Sequence, residues 1–149
     1  MKMTMERITD LKRRLAFSLA LLISVGSGAC ATISPYSPVA YQQATSLKAE
    51  SLSVLEKATT AYDDHRAEAE TLRLDLDKAF EYAKGRPKNE ISTQQWALIR
   101  EPNKHLVGGV LKRWQSEGKL SAIFVAEVRG QISDAFDYVI GLEIRKNKD

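Results

Sequence analysis

With one cysteine, two tryptophans and two histidines in 149 residues, the side chains that could carry chemistry are few enough to weigh singly. Cys30 stands where an apolar run gives way to small residues, in LLISVGSGACATISP at 21–35. A lone thiol closes no intramolecular disulfide, so a structural crosslink within the chain is excluded. His65 lies in DDHRAE at 63–68, where Asp64 and Glu68 stand four apart on one helix face. Zinc needs three or four convergent ligands, and no second His or Cys cluster completes the set. That stretch reads as a solvated acidic face, with no metal site. Ser, His and Asp occur at no spacing that aligns a nucleophile with a base, and neither a phosphate loop nor a dinucleotide fingerprint is present. No catalytic residue and no cofactor is therefore assigned.

Five further residues invite a binding role. Trp96 and Trp114 fall inside short amphipathic stretches and read first as core anchors, with an exposed indole in a partner groove as the alternative. Lys84, Arg86 and Lys88 make a basic turn that suits lipid headgroups, cell-wall polymer or an acidic partner; a solvated loop is the plainer reading. Gly108 and Gly109, in LVGGVL, fit either a hinge or a close approach between helices.

Charge narrows the partner classes. The formal net charge is +3, yet residues 1–29 carry five basic and two acidic side chains, which accounts for all of it. Residues 30–149 hold seventeen of each sign. Without the N-terminal stretch no global electrostatic case for nucleic acid remains.

The first thirty residues have an order of their own. A basic start, MKMTMERITDLKRR, precedes the apolar LAFSLALLISV and then the small residues GSGACA. That succession is the layout of a secretory signal peptide. The apolar core, Leu15 to Val25, is 11 residues, short of the ~20 needed to span a bilayer. Gly28, Ala29 and Cys30 resemble the lipobox of bacterial lipoproteins, in which two small residues precede the cysteine. Ser27 stands where that class usually carries Leu, Val or Ile. The resemblance covers residues 1–31 and implies export, diacylglycerol on Cys30 and cleavage before it. Ala31 follows the cysteine where members retained at the inner membrane usually carry Asp, which implies an outer membrane facing the periplasm. A rival reading remains: Ala29-Cys30-Ala31 also satisfies the small-x-small rule, and a cut after Ala31 would discard the cysteine and release a soluble protein.

The elements that follow are helical throughout. ATISPYSP, 31–38, reads as an extended tether, so the chain divides into a signal peptide at 1–29, a lipidated cysteine and tether at 30–38, and a helical domain at 39–149. Ser37 suits an N-cap with Pro38 at the first helical position. No Pro or Gly occurs from there to Lys84, and small or apolar residues step by threes and fours: Leu47, Ser51, Val54, Ala58, Ala61, His65, Ala69, Leu72, Leu76, Ala79, Ala83. The spacing predicts one helix of about 45 residues, a rod of roughly 70 Å, with a stutter at His65–Ala69. Ser92 with Gln95 predicts a capped short helix ended by Pro102, and HLVGGVLKRWQSE a second that closes at Gly118. Ser121 then caps a last helix from Ala122 to about Lys146, with a stripe of Val125, Val128, Ile132, Ala135, Val139 and Leu142 that Phe124, Phe136 and Ile140 widen. Residues 56–81 are mostly acidic among their charges and 84–129 mostly basic, which favours packing one against the other.

The expected fold is therefore all-α: a long N-terminal helix packed antiparallel against a shorter C-terminal one, with two short helices between. The last helix covers only about 38 Å of the rod. Part of the first seam would be left for another envelope protein or for weak self-association. The function expected is that of a non-catalytic, lipid-anchored interaction module; the alternative is a soluble secreted accessory or inhibitor.

Overall fold

The computed structural model describes residues 33–147, so Cys30 and the expected signal peptide lie outside the described residues. Thr32–Asp149 forms a compact unit of its own. It is all-helical, with no strand among the described residues. Five helices pack together: α1 Pro38–Lys57, α2 Arg66–Gly85, α3 Glu90–Arg100, α4 Val107–Glu117 and α5 Ala122–Arg145.

The start of α1 follows its local chemistry. Ser37 is extended, its Oγ accepts the Ala40 N–H at 3.2 Å, and Pro38 fills the first turn. The expected 45-residue rod does not form. The helix ends at Lys57, a one-turn 3-10 segment spans Tyr62–His65, and α2 then runs back along α1. Lys57 reaches Glu68, and Ser37 Oγ meets Tyr82 Oη at 2.8 Å. The expected stutter is thus a chain reversal, with Ala61 exposed and His65 half-buried.

The reason lies in burial. The two halves of the seam, Ala44 to Ala58 and Ala69 to Ala83, hide more surface folded onto each other and the rest of the core than end to end. The hydroxyls of Thr59 and Thr60 turn back to the carbonyls of Glu56 and Lys57, which competes with helix propagation. The remaining turn groups find partners far along the chain. Tyr62 N donates to Gly118 O at 2.7 Å, Leu120 N to Ala58 O at 2.8 Å, and the Trp114 indole to Thr60 O at 3.0 Å.

α5 lies along α1, with Lys48 on Asp137 at 2.6 Å and Glu56 on Arg129. Its cap is the expected one, Ser121 Oγ accepting from Phe124 N. Its buried face is Val125, Val128, Ile132, Phe136, Val139 and Glu143. That period is 3.6 rather than the 3.5 of the expected stripe, so Glu143 takes the inward place given to Leu142, and Phe136, expected at the edge of the stripe, is fully buried while Ala135 is half-buried. α3 starts two residues before Ser92, with Asn89 as its N-cap residue, and Ser92 is buried within the helix. Gly118, at φ 78°, closes α4 as expected. Gly108 and Gly109 are close-approach residues: a Cβ on either would sit 2.0 Å from Arg100 O or 1.7 Å from Lys104 O. Of the expected complementarity between the acidic and basic stretches, Asp77 pairs with Arg100 at 2.6 Å and Glu56 with Arg129.

Trp114, fully buried, meets Tyr62 edge-on at 5.3 Å, while Trp96 packs edge-on against Phe136 at 5.9 Å. Beside Trp114 a void of about 10 Å³ is walled by Leu55, Leu72, Leu111 and Ile132. Ser51 Oγ, also on this wall, is the one buried side-chain polar atom among the described residues that lacks a hydrogen-bond partner.

Candidate functional site

Polar chemistry concentrates at one end of the bundle, where α1 and α3 begin and α2 and α5 finish. Glu143 reaches inward there from the last turn of α5, 3% exposed. Its Oε1 accepts from the Ser37 backbone N–H at 2.6 Å and from Arg86 at 3.2 Å. Its Oε2 accepts from Arg86 at 3.3 Å and Lys146 at 2.8 Å. Lys146 spends its other two protons on Asn89 Oδ1 at 2.7 Å and Ser92 Oγ at 3.1 Å. Asn89 in turn donates to Ala83 O at 2.8 Å and accepts from Ser34 Oγ at 2.7 Å. A buried carboxylate with two cations and a backbone donor has its acceptor capacity filled, so Glu143 is set up to hold structure rather than to move protons.

This network docks the stretch expected to be a free tether. Residues 34–37 are extended, but Ser34 and Ser37 are buried, Ser34 N donates to Lys88 O at 2.8 Å, and Arg86 also binds Pro35 O. Lys88 adopts the left-handed conformation, φ 57°, in presenting that carbonyl. The domain therefore begins before the first helix.

The residues singled out for partner contact separate accordingly. Trp96 and Trp114 are core residues, 3% and 0% exposed, so neither offers an indole to a partner. Arg86 is committed to Glu143 and Pro35. Lys84 is outward, with its ammonium 3.5 Å from Glu81 and over the Phe80 ring at 5.6 Å. Lys88 is outward as well. The basic turn is thus part strut and part surface. Glu143, Lys146, Asn89 and Ser34 were not foreseen as a set. Glu143 alone left a signal, a carboxylate on the inward side of α5 when the residues are counted at 3.6 per turn.

The acidic stretch at 63–68 holds itself. Asp63 binds Arg66, and Lys57 binds Glu68, whose carboxyl is held below its ordinary value by that hydrogen bond. His65 Nε2 lies 2.9 Å from Thr60 Oγ1, which itself bonds Lys57 O at 2.7 Å. Among the described residues no group of three or more His, Cys, Asp or Glu is placed to hold a metal ion, and no helix is long and apolar enough to cross a membrane. A cleft of about 280 Å³ between α4 and α5 carries Lys104 and His105 at its mouth and Phe124 and Val128 within. Arg113 lies over the Phe124 ring at 4.2 Å and binds Glu117 at 2.8 Å. No protein-family model, no curated protein and no solved structure matches this chain.

Proposed function

We propose that this chain is a non-catalytic envelope lipoprotein, exported, lipidated on Cys30 and held at an outer membrane facing the periplasm, with its helical domain acting as an interaction module. The observation that carries this reading is the placement of the only thiol directly after Gly28 and Ala29, at the end of an apolar run preceded by basic residues. Several acyl chains on one cysteine give firm anchoring, where a single chain anchors only reversibly. In this reading α1 and α5 pack antiparallel and the first turn of α1 is the membrane-proximal end.

The partner class is adjusted by the fold. The seam once expected to be short of cover is buried inside the chain, so a partner meets the outer faces of the helices rather than an empty heptad stripe. Labelling cells with radioactive palmitate tests the anchor. Label on the wild type that disappears in Cys30→Ser supports it; an unlabelled wild type sinks it. The second reading, cleavage after Ala31 and release of a soluble accessory protein, is favoured by Ala29-Cys30-Ala31. A mature N-terminus at Thr32 in the secreted fraction would establish it.

A further inference from the structure

The ten large apolar side chains that are exposed among the described residues are not spread evenly over the bundle. Six of them, Ile33, Val39, Tyr41, Tyr82, Ile91 and Ile144, lie at the end where the Glu143 network sits. The placement follows from that network: Ile33 precedes Ser34, Tyr82 bonds Ser37, and Ile144 follows Glu143. Val39 and Ile91 are the second residues of α1 and α3. The same end carries a cationic excess. Residues 81–92 and 143–146 together hold two more basic than acidic side chains, with Lys84 and Arg145 outward. The opposite end has the reverse balance: residues 56–68 and 117–121, joined through Leu120 to Ala58, hold two more acidic than basic.

We propose that this end is a membrane-contact surface that rests on the interfacial layer of an anionic phospholipid bilayer. Scattered apolar side chains interleaved with cations are what such a layer accepts: the former enter the headgroup boundary and the latter meet lipid phosphates. A peptide-binding site would instead want these residues to line one groove; of the six, Val39 alone lines the cleft of about 270 Å³ between α1 and α2, and the others ring an end formed by helix termini. The occupant is also indicated by where the chain enters. Ile33 joins the bundle at this end, and Cys30 lies three residues before it, so in the lipoprotein reading a lipid on that cysteine brings the membrane to this end. The proposal deepens the lipoprotein reading and rests on it for its biological setting, but the surface is testable without the lipid.

The unit Thr32–Asp149 holds the core formed by the described residues. Its cosedimentation with vesicles of equal parts phosphatidylglycerol and phosphatidylcholine, at low ionic strength, is expected to exceed that with phosphatidylcholine alone. K84E/R145E, both outward positions, is expected to lower the anionic partition roughly tenfold, and Ile91→Ser/Ile144→Ser to lower what survives added salt. Ile123→Ser, 83% exposed at the far end, serves as the control and is expected to change nothing. Absence of wild-type binding to the anionic vesicles overturns the proposal. So does equal binding by the charge-reversal variant, or an Ile123→Ser loss matching that of Ile91→Ser/Ile144→Ser. Unchanged circular dichroism melts certify that each variant folds. Palmitate labelling of Cys30 reports separately: vesicle binding without labelling removes the anchor and keeps the surface, and labelling without vesicle binding does the opposite.

Discussion

Glu143 is the residue on which most partners converge. Removing its charge leaves the largely buried Arg86 and Lys146 side chains with no counter-ion, and breaking a buried pair from one side typically costs 3–5 kcal/mol. Glu143→Gln is accordingly expected to lower unfolding free energy by about 3 kcal/mol in urea titrations. Full stability in that variant would show that water already compensates the cations. Ser51 sits in the contrary position, a hydroxyl with no partner beside a void whose other walls are apolar. Ser51→Ala removes a desolvated group and is expected to stabilise by about 1 kcal/mol in the same titration; a loss of stability would mean the hydroxyl is satisfied. Glu50 is a third case. Burial, and then Asp75, raise its carboxyl above the ordinary 4.5. The folded chain therefore holds this proton more tightly than the unfolded one does, and the carboxylate costs stability above the raised value but nothing well below 4.5, where both states are protonated. Glu50→Gln should raise the melting temperature at neutral pH, with the gain vanishing as the pH falls past that value. Glu68, lowered by Lys57, works in the other direction: its stabilisation is present above 4.5 and lost as the pH falls through its folded value.

Among the elements, the break between α1 and α2 matters most. It is held chiefly by α4, since Trp114 fills the space behind the turn and bonds Thr60 O. Trp114→Ala should cost about 3–5 kcal/mol, and hydrogen exchange is expected to accelerate first at 58–65. Exchange that accelerates evenly would locate the constraint elsewhere. Why the sequence concealed this break is clear from its partners. The caps at Ser37, Gly118 and Ser121 are local, built from residues within a few positions, and were readable as such. The turn at 58–61 contains neither Pro nor Gly, and although its Ala58 and Thr60 N–H groups bond locally, the carbonyls of those two residues are satisfied by Leu120 and Trp114, far along the chain. A local pattern carries no trace of such partners. The misplacement along α5 has a different origin, in that a heptad count drifts against a straight helix by about 20° per repeat. By the last turn this put Leu142 where Glu143 stands.

At the scale of the whole molecule, the all-helical class was legible from periodicity, while the polar end was not, because it gathers residues from three stretches of chain far apart in sequence, 34–37, 82–92 and 143–146. The expectation for Cys30 falls on a residue outside the described ones. Folding α2 back onto α1 also removes the surface that had suggested self-association. Sedimentation of Thr32–Asp149 at micromolar concentration is expected to give a monomer, and a stable trimer would mean that an outer face is a dedicated oligomer surface.

The docking of residues 34–37 has a mechanical side. A pull on the chain at Ile33 falls first on Ser34, hung from the Lys88 carbonyl and the Asn89 amide, and then on Ser37, held by Glu143. The load divides between the α2–α3 corner and the last turn of α5 before α1 feels any of it. To peel the first helix away, these lines must part together in shear rather than unzip one at a time. A bundle moored in this way can be dragged by its N-terminus, or have other components pull against it, without beginning to unravel at the point of attachment.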